Sequence, residues 1–113
     1  MMYRQGDILL IPIPFSNLKS NKKRPVLVLS NAKYNSTTED IVVAAITSNL
    51  EEKEYAITIT NNDLWEGEIK VTSNIRADKI YTLSKNIVIK KIGSVNVNVI
   101  EKVINLIEKL MKE

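Results

Sequence analysis

The chain has 113 residues, 44% of them hydrophobic and 26% charged, with 16 Lys and Arg against 13 Asp and Glu for a net charge of +3. This describes one globular domain over 1–113, too apolar for a disordered tail and too weakly basic to coat nucleic acid by charge alone. The absence of Cys and His excludes disulfide frameworks, thiolate nucleophiles, Ser–His–Asp triads and nearly all transition-metal sites. Chemistry on this chain falls to Arg, Lys, carboxylates and hydroxyls, and neither a metal nor a cofactor is expected. The opening Met1–Asp7 lacks the apolar stretch of a signal peptide, and Ile41–Ile46 is too short to cross a bilayer. A cytoplasmic protein with no membrane partner is expected.

The first predicted strand is Asp7–Ile13, rich in β-branched residues. Pro12 and Pro14 stand two apart and remove N–H groups from one side, so the segment ends as an edge or a strand exit. Ser16–Lys23 is polar and basic, long for a hairpin connection, and therefore a functional candidate. Pro25–Leu29 is a strand apolar on both faces. Ser30–Glu39 reads as a polar connection with Asn35–Thr38 at its tip. Ile41–Thr47 has the strongest β signal in the chain, and Tyr55–Thr60 alternates weakly as a fourth strand. Asn61–Gly67 reads as a turn region holding the only Trp, and Glu68–Thr72 and Ser73–Leu83 as one or two further strands. The period then changes. Val99, Ile100, Val103, Ile104, Ile107, Leu110 and Met111 follow one helical face, with Asn96 as N-cap and Gly93 as a break before it. Short strands followed by one amphipathic helix predict a mainly β (α+β) domain, a small curved antiparallel sheet or barrel with a helix packed on it.

Register arithmetic singles out two residues. If 25–29 and 41–47 form an antiparallel pair with Ser30 opposite Ile41, Arg24 falls opposite Thr47, and directly opposed residues share a face. Arg24 precedes Pro25 and is biased toward extended backbone. A guanidinium fork beside a hydroxyl suits an oxyanion or phosphate. On residue type alone, a solvated charge and a strand-end hydroxyl are the commoner meaning of such a pair; the register narrows that gap, and the pair is not specific by itself.

Gly6–Pro12, Lys23–Ser30, Ile41–Ser48, Ser73–Ile80 with Leu83, and Ile92–Gly93 leading into a terminal helix together resemble the MazF/PemK family of toxin–antitoxin ribonucleases, in order and over almost the whole chain. The resemblance implies an SH3-like barrel with a C-terminal α-helix (a MazF/CcdB-like fold), a homodimer, a cognate antitoxin protein, and metal-independent cleavage of single-stranded RNA. The family's catalytic Arg falls on Arg24 and its catalytic Thr on Thr47, with Ser48 as a second hydroxyl able to share the role. The chain departs from the commoner family pattern at 16–23, where Ser-Asn-Leu-Lys-Ser-Asn-Lys-Lys replaces Gly with an acidic residue or Gln, so its cleavage sequence need not follow that of its relatives. Such chemistry uses the substrate's own 2′-OH as nucleophile, leaves a 2′,3′-cyclic phosphate, and asks of the protein only preorganised donors for the charge on the phosphorane oxygens.

Lys22, Lys23, Arg76 and Lys79 are the candidates for contacts to flanking RNA phosphates, though for each a solvated surface charge is the commoner meaning. Trp65 reads as a satellite-core residue, with base stacking as the alternative. The Val99–Met111 stripe reads as core or dimer packing, and Glu51–Glu54 as a solvated strand entrance. Two other functions compete: a gyrase-poison-like toxin of the same fold, disfavoured by the ending Leu110-Met111-Lys112-Glu113, and a catalytically silent barrel that binds RNA or a partner chain.

Overall fold

A computed structural model describes residues 2–12, 22–51 and 54–113. Among them run β1 (Asp7–Pro12), β2 (Lys23–Val28), α1 (Ala32–Thr37), β3 (Asp40–Thr47), β4 (Ala56–Ile59), β5 (Leu64–Gly67), β6 (Ser73–Ser84), β7 (Lys90–Val95) and α2 (Val97–Met111), with 3₁₀ turns at Asn61–Asp63 and Lys85–Ile87. The strands form a single sheet in the order β4-β6-β3-β2-β1-β7-β5, antiparallel throughout. The sheet is curled, within a chain whose overall extents are 34 × 32 × 31 Å.

The central strands β1, β2 and β3 are apolar on both faces because both faces are covered. Ile8, Leu27, Ala44 and Ile46 point to one side, where they pack with Val99, Ile100 and Val103 of α2. Leu9, Ile11, Val26, Val28, Ile41 and Val43 point to the other, under Tyr3, Leu83, Ile87 and Val88. Full burial of each such side chain contributes about 1.5–3 kcal/mol, so the two-faced strands are the chief source of stability.

The curl comes from β6. It pairs with Asp40–Ala44 of β3 through Ser84–Ile80, then with Ala45–Thr47 through Arg76–Asn74. Ala77, Asp78 and Lys79 are left without a partner on that side. The Ala77 N–H turns instead to the Tyr55 carbonyl at 2.8 Å. An insertion of this kind bends a strand and increases its twist. At the opposite edge, β5 approaches β7 at Gly67 and Gly93, which face one another in the ladder. A Cβ on Gly67 (φ +73°) would lie 2.2 Å from the Ile92 carbonyl oxygen, and one on Gly93 2.8 Å from that of Glu66.

Several expectations need correction. The 30–39 connection contains α1, and Asn35, placed at an exposed tip, is buried: its amide donates to the carbonyls of Tyr3 and Ser30 at 3.0 Å each. The 61–67 turn region contains β5, and Lys90–Val95 forms a strand where only a break at Gly93 was expected; Gly93 serves close strand approach. Residues 68–72 are irregular, so β6 is one long strand. Trp65 is 65% exposed on edge strand β5, not part of a core, and Ile104 and Met111 lie on the exposed side of α2. β1 is an interior strand; Pro12 ends it after the β7 ladder has stopped at Leu10. Pro14 and most of the 16–23 loop fall outside the described residues.

Candidate functional site

β2 and β3 pair Val26 with Ala45, Leu27 with Ala44 and Val28 with Val43. Carried two residues further, that register sets Arg24 opposite Thr47 on the face that bears Val26 and Val43. The row continues on both sides: Ile11 faces Arg24 across β1–β2, Asn74 faces Thr47 across β3–β6, and Thr58 faces Asn74 across β4–β6. Arg24, Thr47, Asn74 and Thr58 thus form a polar line across four adjacent strands. One residue pair inward, Val26, Ala45, Arg76 and Ala56 make a parallel row. The covered half of this face holds apolar residues; the other half carries the donors.

The side chains in the line differ in how firmly they are held. Thr47 is half-buried, and its Oγ1 accepts the Asn49 N–H at 3.1 Å, which anchors the oxygen. Among the described residues its hydroxyl proton meets no acceptor, so it remains free to donate. Asn74 is buried, and its Oδ1 accepts the Thr58 hydroxyl at 2.6 Å. That bond occupies the amide oxygen and leaves the NH₂ as the end available to a ligand. Arg24 is exposed and meets no carboxylate among the described residues. An unneutralised guanidinium beside anchored neutral donors is suited to a dianionic or developing-dianionic oxygen centre.

The other sequence candidates are dispersed. Ser48 lies just beyond β3, exposed and outside the ladder. Arg76 shares the face of Arg24, and its Nε and Nη2 donate to the two Asp78 carboxylate oxygens at 2.8 Å each. Those hydrogen bonds raise the Arg76 pKa against the opposing effect of burial and hold the Asp78 carboxyl below the usual carboxylate range. Lys79 is exposed within the unpaired 77–79 segment, and Lys22 and Lys23 are exposed at the start of β2. Sequence reasoning missed Asn74 and Thr58. The available signal was parity: Asn74 stands two residues before Arg76 on one strand and so shares its face.

The Gly6-Asp7 pair is accounted for by the fold. Asp7 is buried at the end of β1 remote from Arg24, accepting Ser94 Oγ at 2.7 Å and the Arg4 N–H at 2.9 Å, with Lys91 Nζ at 3.4 Å. It ties β1 to β7.

The model of the PemK-like, MazF-like toxins of type II toxin–antitoxin systems matches residues 4–111. No curated protein matches the chain by sequence. Solved structures match its fold closely. A mycobacterial endoribonuclease in complex with its cognate antitoxin is similar at a TM-score of 0.77 and 20% identity, over 95% of this chain and 92% of that one. A MazF from Deinococcus radiodurans matches at 0.79 and 19%, over 98% and 97%. A MazE–MazF structure from the same organism matches at 0.81 and 19%, over 98% and 97%.

Proposed function

The chain belongs to the PemK-like, MazF-like toxins of type II toxin–antitoxin systems, and we propose that it is a metal-independent endoribonuclease of single-stranded RNA with its reaction centre at Arg24 and Thr47. The observation that supports this reading most is the β2–β3 register, which aligns an exposed, unneutralised guanidinium with an anchored hydroxyl whose proton is free. In the reaction the substrate 2′-OH loses its proton, the O2′–P bond forms, the P–O5′ bond breaks and the 5′-oxygen takes up a proton. Arg24 clamps the phosphate and faces the departing 5′-oxygen. Thr47 donates to a nonbridging oxygen, where charge accumulates in the transition state. Ser48 is the reserve hydroxyl, and Lys22, Lys23, Arg76 and Lys79 contact flanking phosphates.

The solved relatives extend the proposal to partners. One of them is an endoribonuclease in complex with its cognate antitoxin; this chain is proposed to bind a cognate antitoxin that holds it inactive, to act as a homodimer and to work in the cytoplasm. Among the described residues, no helix is long and apolar enough to cross a membrane.

The test is direct. Purified protein in excess EDTA should cut single-stranded RNA and leave 2′,3′-cyclic phosphate ends, while a substrate with a 2′-deoxy sugar at the cleaved position should bind and stay intact. Cleavage of the deoxy substrate, or loss of cleavage in EDTA, would overturn the mechanism. Sedimentation at micromolar concentration should give a dimer.

A further inference from the structure

The polar line does not stop at Thr58. Thr60 follows it by two residues in extended backbone (φ −125°, ψ 179°) and so projects to the same side, and Thr72 precedes Asn74 by two. Between them opens a pocket of about 320 Å³, walled by Thr60, Asn61, Asn62, Lys70, Val71 and Thr72. From the reaction centre proposed above, we infer that this pocket is a nucleobase subsite, where the protein reads a base of the same RNA about two nucleotides from the cleaved phosphate.

Its chemistry suits a base better than a phosphate. Lys70 is the one cation in its wall, while the neighbouring Asp63 carboxylate is committed to the Thr60 N–H at 2.8 Å. The other polar groups are amides and hydroxyls. Asn61 Oδ1 accepts the Ile69 N–H at 2.7 Å, which fixes that amide and leaves its NH₂ as a donor. Among the described residues the Asn62 side-chain amide meets no partner at either end, so it offers a donor and an acceptor side by side. That pair matches the adjacent donor and acceptor on a base edge. Val71, 56% exposed at the rim, supplies an apolar surface for a base face.

The spacing agrees. Thr47 and Thr58 are two strand spacings apart, about 10 Å, and the pocket begins one residue pair beyond. A splayed single strand leaving the reaction centre along the Asn74–Thr58 line would bring its second base there. The volume is at the lower end of the range for ligand pockets, and the open, polar wall favours one segment of a longer chain over a free small molecule.

The test uses full-length protein and a set of short RNAs that vary one position at a time around the cut, including an abasic spacer at each. Wild type should discriminate among bases at one position about two nucleotides from the cut, and should lose about tenfold or more in kcat/KM with the abasic spacer there. Asn62→Ala should flatten the preference at that position alone, through KM, with kcat unchanged; Lys70→Ala should weaken binding of every RNA. The Asn62 side chain is exposed and holds nothing together, so an unchanged melting temperature controls for folding. If wild type cuts RNA but Asn62→Ala keeps every base preference, the subsite is refuted and the proposed function stands. If wild type cuts no RNA, the proposed function fails and takes this inference with it. Saturable binding of free mononucleotides with no base preference in cleavage would also refute it, assigning the pocket to a small ligand.

Discussion

Arg76 and Asp78 stand two residues apart on β6, and their side chains meet through two hydrogen bonds of 2.8 Å each. The pair engages the Nε/Nη2 edge of the guanidinium. Its Nη1/Nη2 edge is left as a second fork, held in place by the carboxylate and lying in the row beside Thr47 and Asn74. If Arg76 contacts an RNA phosphate as proposed, Asp78 is its positioning residue, acting through these two bonds. Asp78→Ala should raise KM for RNA several-fold and leave kcat near wild type, and Asp78→Glu should restore part of the loss. A fall in kcat with KM constant would contradict this role. Stability should change by less than about 1 kcal/mol, as for other solvent-reached ion pairs. The Asp78 pKa is depressed in the fold, so the pair's contribution is fully present above the ordinary carboxylate pKa and fades only as pH falls through the lower folded value. Melting curves between pH 5 and 8 should therefore show no change from this pair.

Asp7 should behave in the opposite way. Its carboxylate accepts the Ser94 hydroxyl and the Arg4 N–H and pairs with Lys91, all at the β1–β7 seam. Asp7→Asn turns one accepting oxygen into a donor that faces donors. A buried polar group left without a partner costs ~1–3 kcal/mol, and for a domain near this size each kcal/mol lowers Tm by roughly 4–8 °C. Thermal denaturation should show that drop, while kcat measured well below the new Tm should match wild type.

The strands that carry the proposed reaction centre were legible because their chemistry is local. Pro25–Leu29 and Ile41–Thr47 are short apolar runs joined by one connection, and pairing Ser30 with Ile41 across that connection sets Arg24 opposite Thr47, the register the ladder keeps. α1 was not legible. Its residues are polar, and beyond the local cap that Asn31 Oδ1 makes on the Tyr34 N–H at 2.8 Å, what holds it is tertiary: the Asn35 amide reaches the Tyr3 carbonyl, 32 residues away in sequence. β5 and β7 were hidden by their own glycines, which read as punctuation in sequence yet serve here to bring two strands together. Asn74 was missed because parity with Arg76 gives only its face; its place beside Thr47 depends on the β3–β6 pairing.

That close approach of β5 and β7 is itself testable. Gly67→Ala demands a left-handed residue with a Cβ, which costs about 1–2 kcal/mol from the backbone alone, and places that carbon 2.2 Å from the Ile92 oxygen. Gly93→Ala meets the Glu66 carbonyl at 2.8 Å from the other side. Both should lower Tm, Gly67→Ala more. The double variant should lose less than the sum, since the first substitution already separates the strands that the second would push apart. Strict additivity would mean that the two glycines do not share one contact.

The two hydroxyls that follow one another at the end of β3 should differ sharply. Thr47 sits in the ladder opposite Asn74, with its oxygen held by the Asn49 N–H at 3.1 Å; Ser48 stands outside the ladder and is exposed. Preorganisation is what makes a donor effective in a transition state, and losing one such donor costs about 10²- to 10³-fold in kcat. Thr47→Ala should fall by that amount, Thr47→Ser should keep most of the rate, and Ser48→Ala should stay within a few-fold of wild type. Arg24→Ala should abolish cleavage, and Arg24→Lys should not restore it, because an ammonium cannot present two parallel donors to a phosphate. Since Arg24 is exposed, both Arg24 variants should melt within about 0.5 kcal/mol of wild type, which separates lost chemistry from lost fold. If Ser48→Ala proves more damaging than Thr47→Ala, the hydroxyl that serves the phosphate lies outside the row, and the reaction centre must be placed at the loop that follows β3.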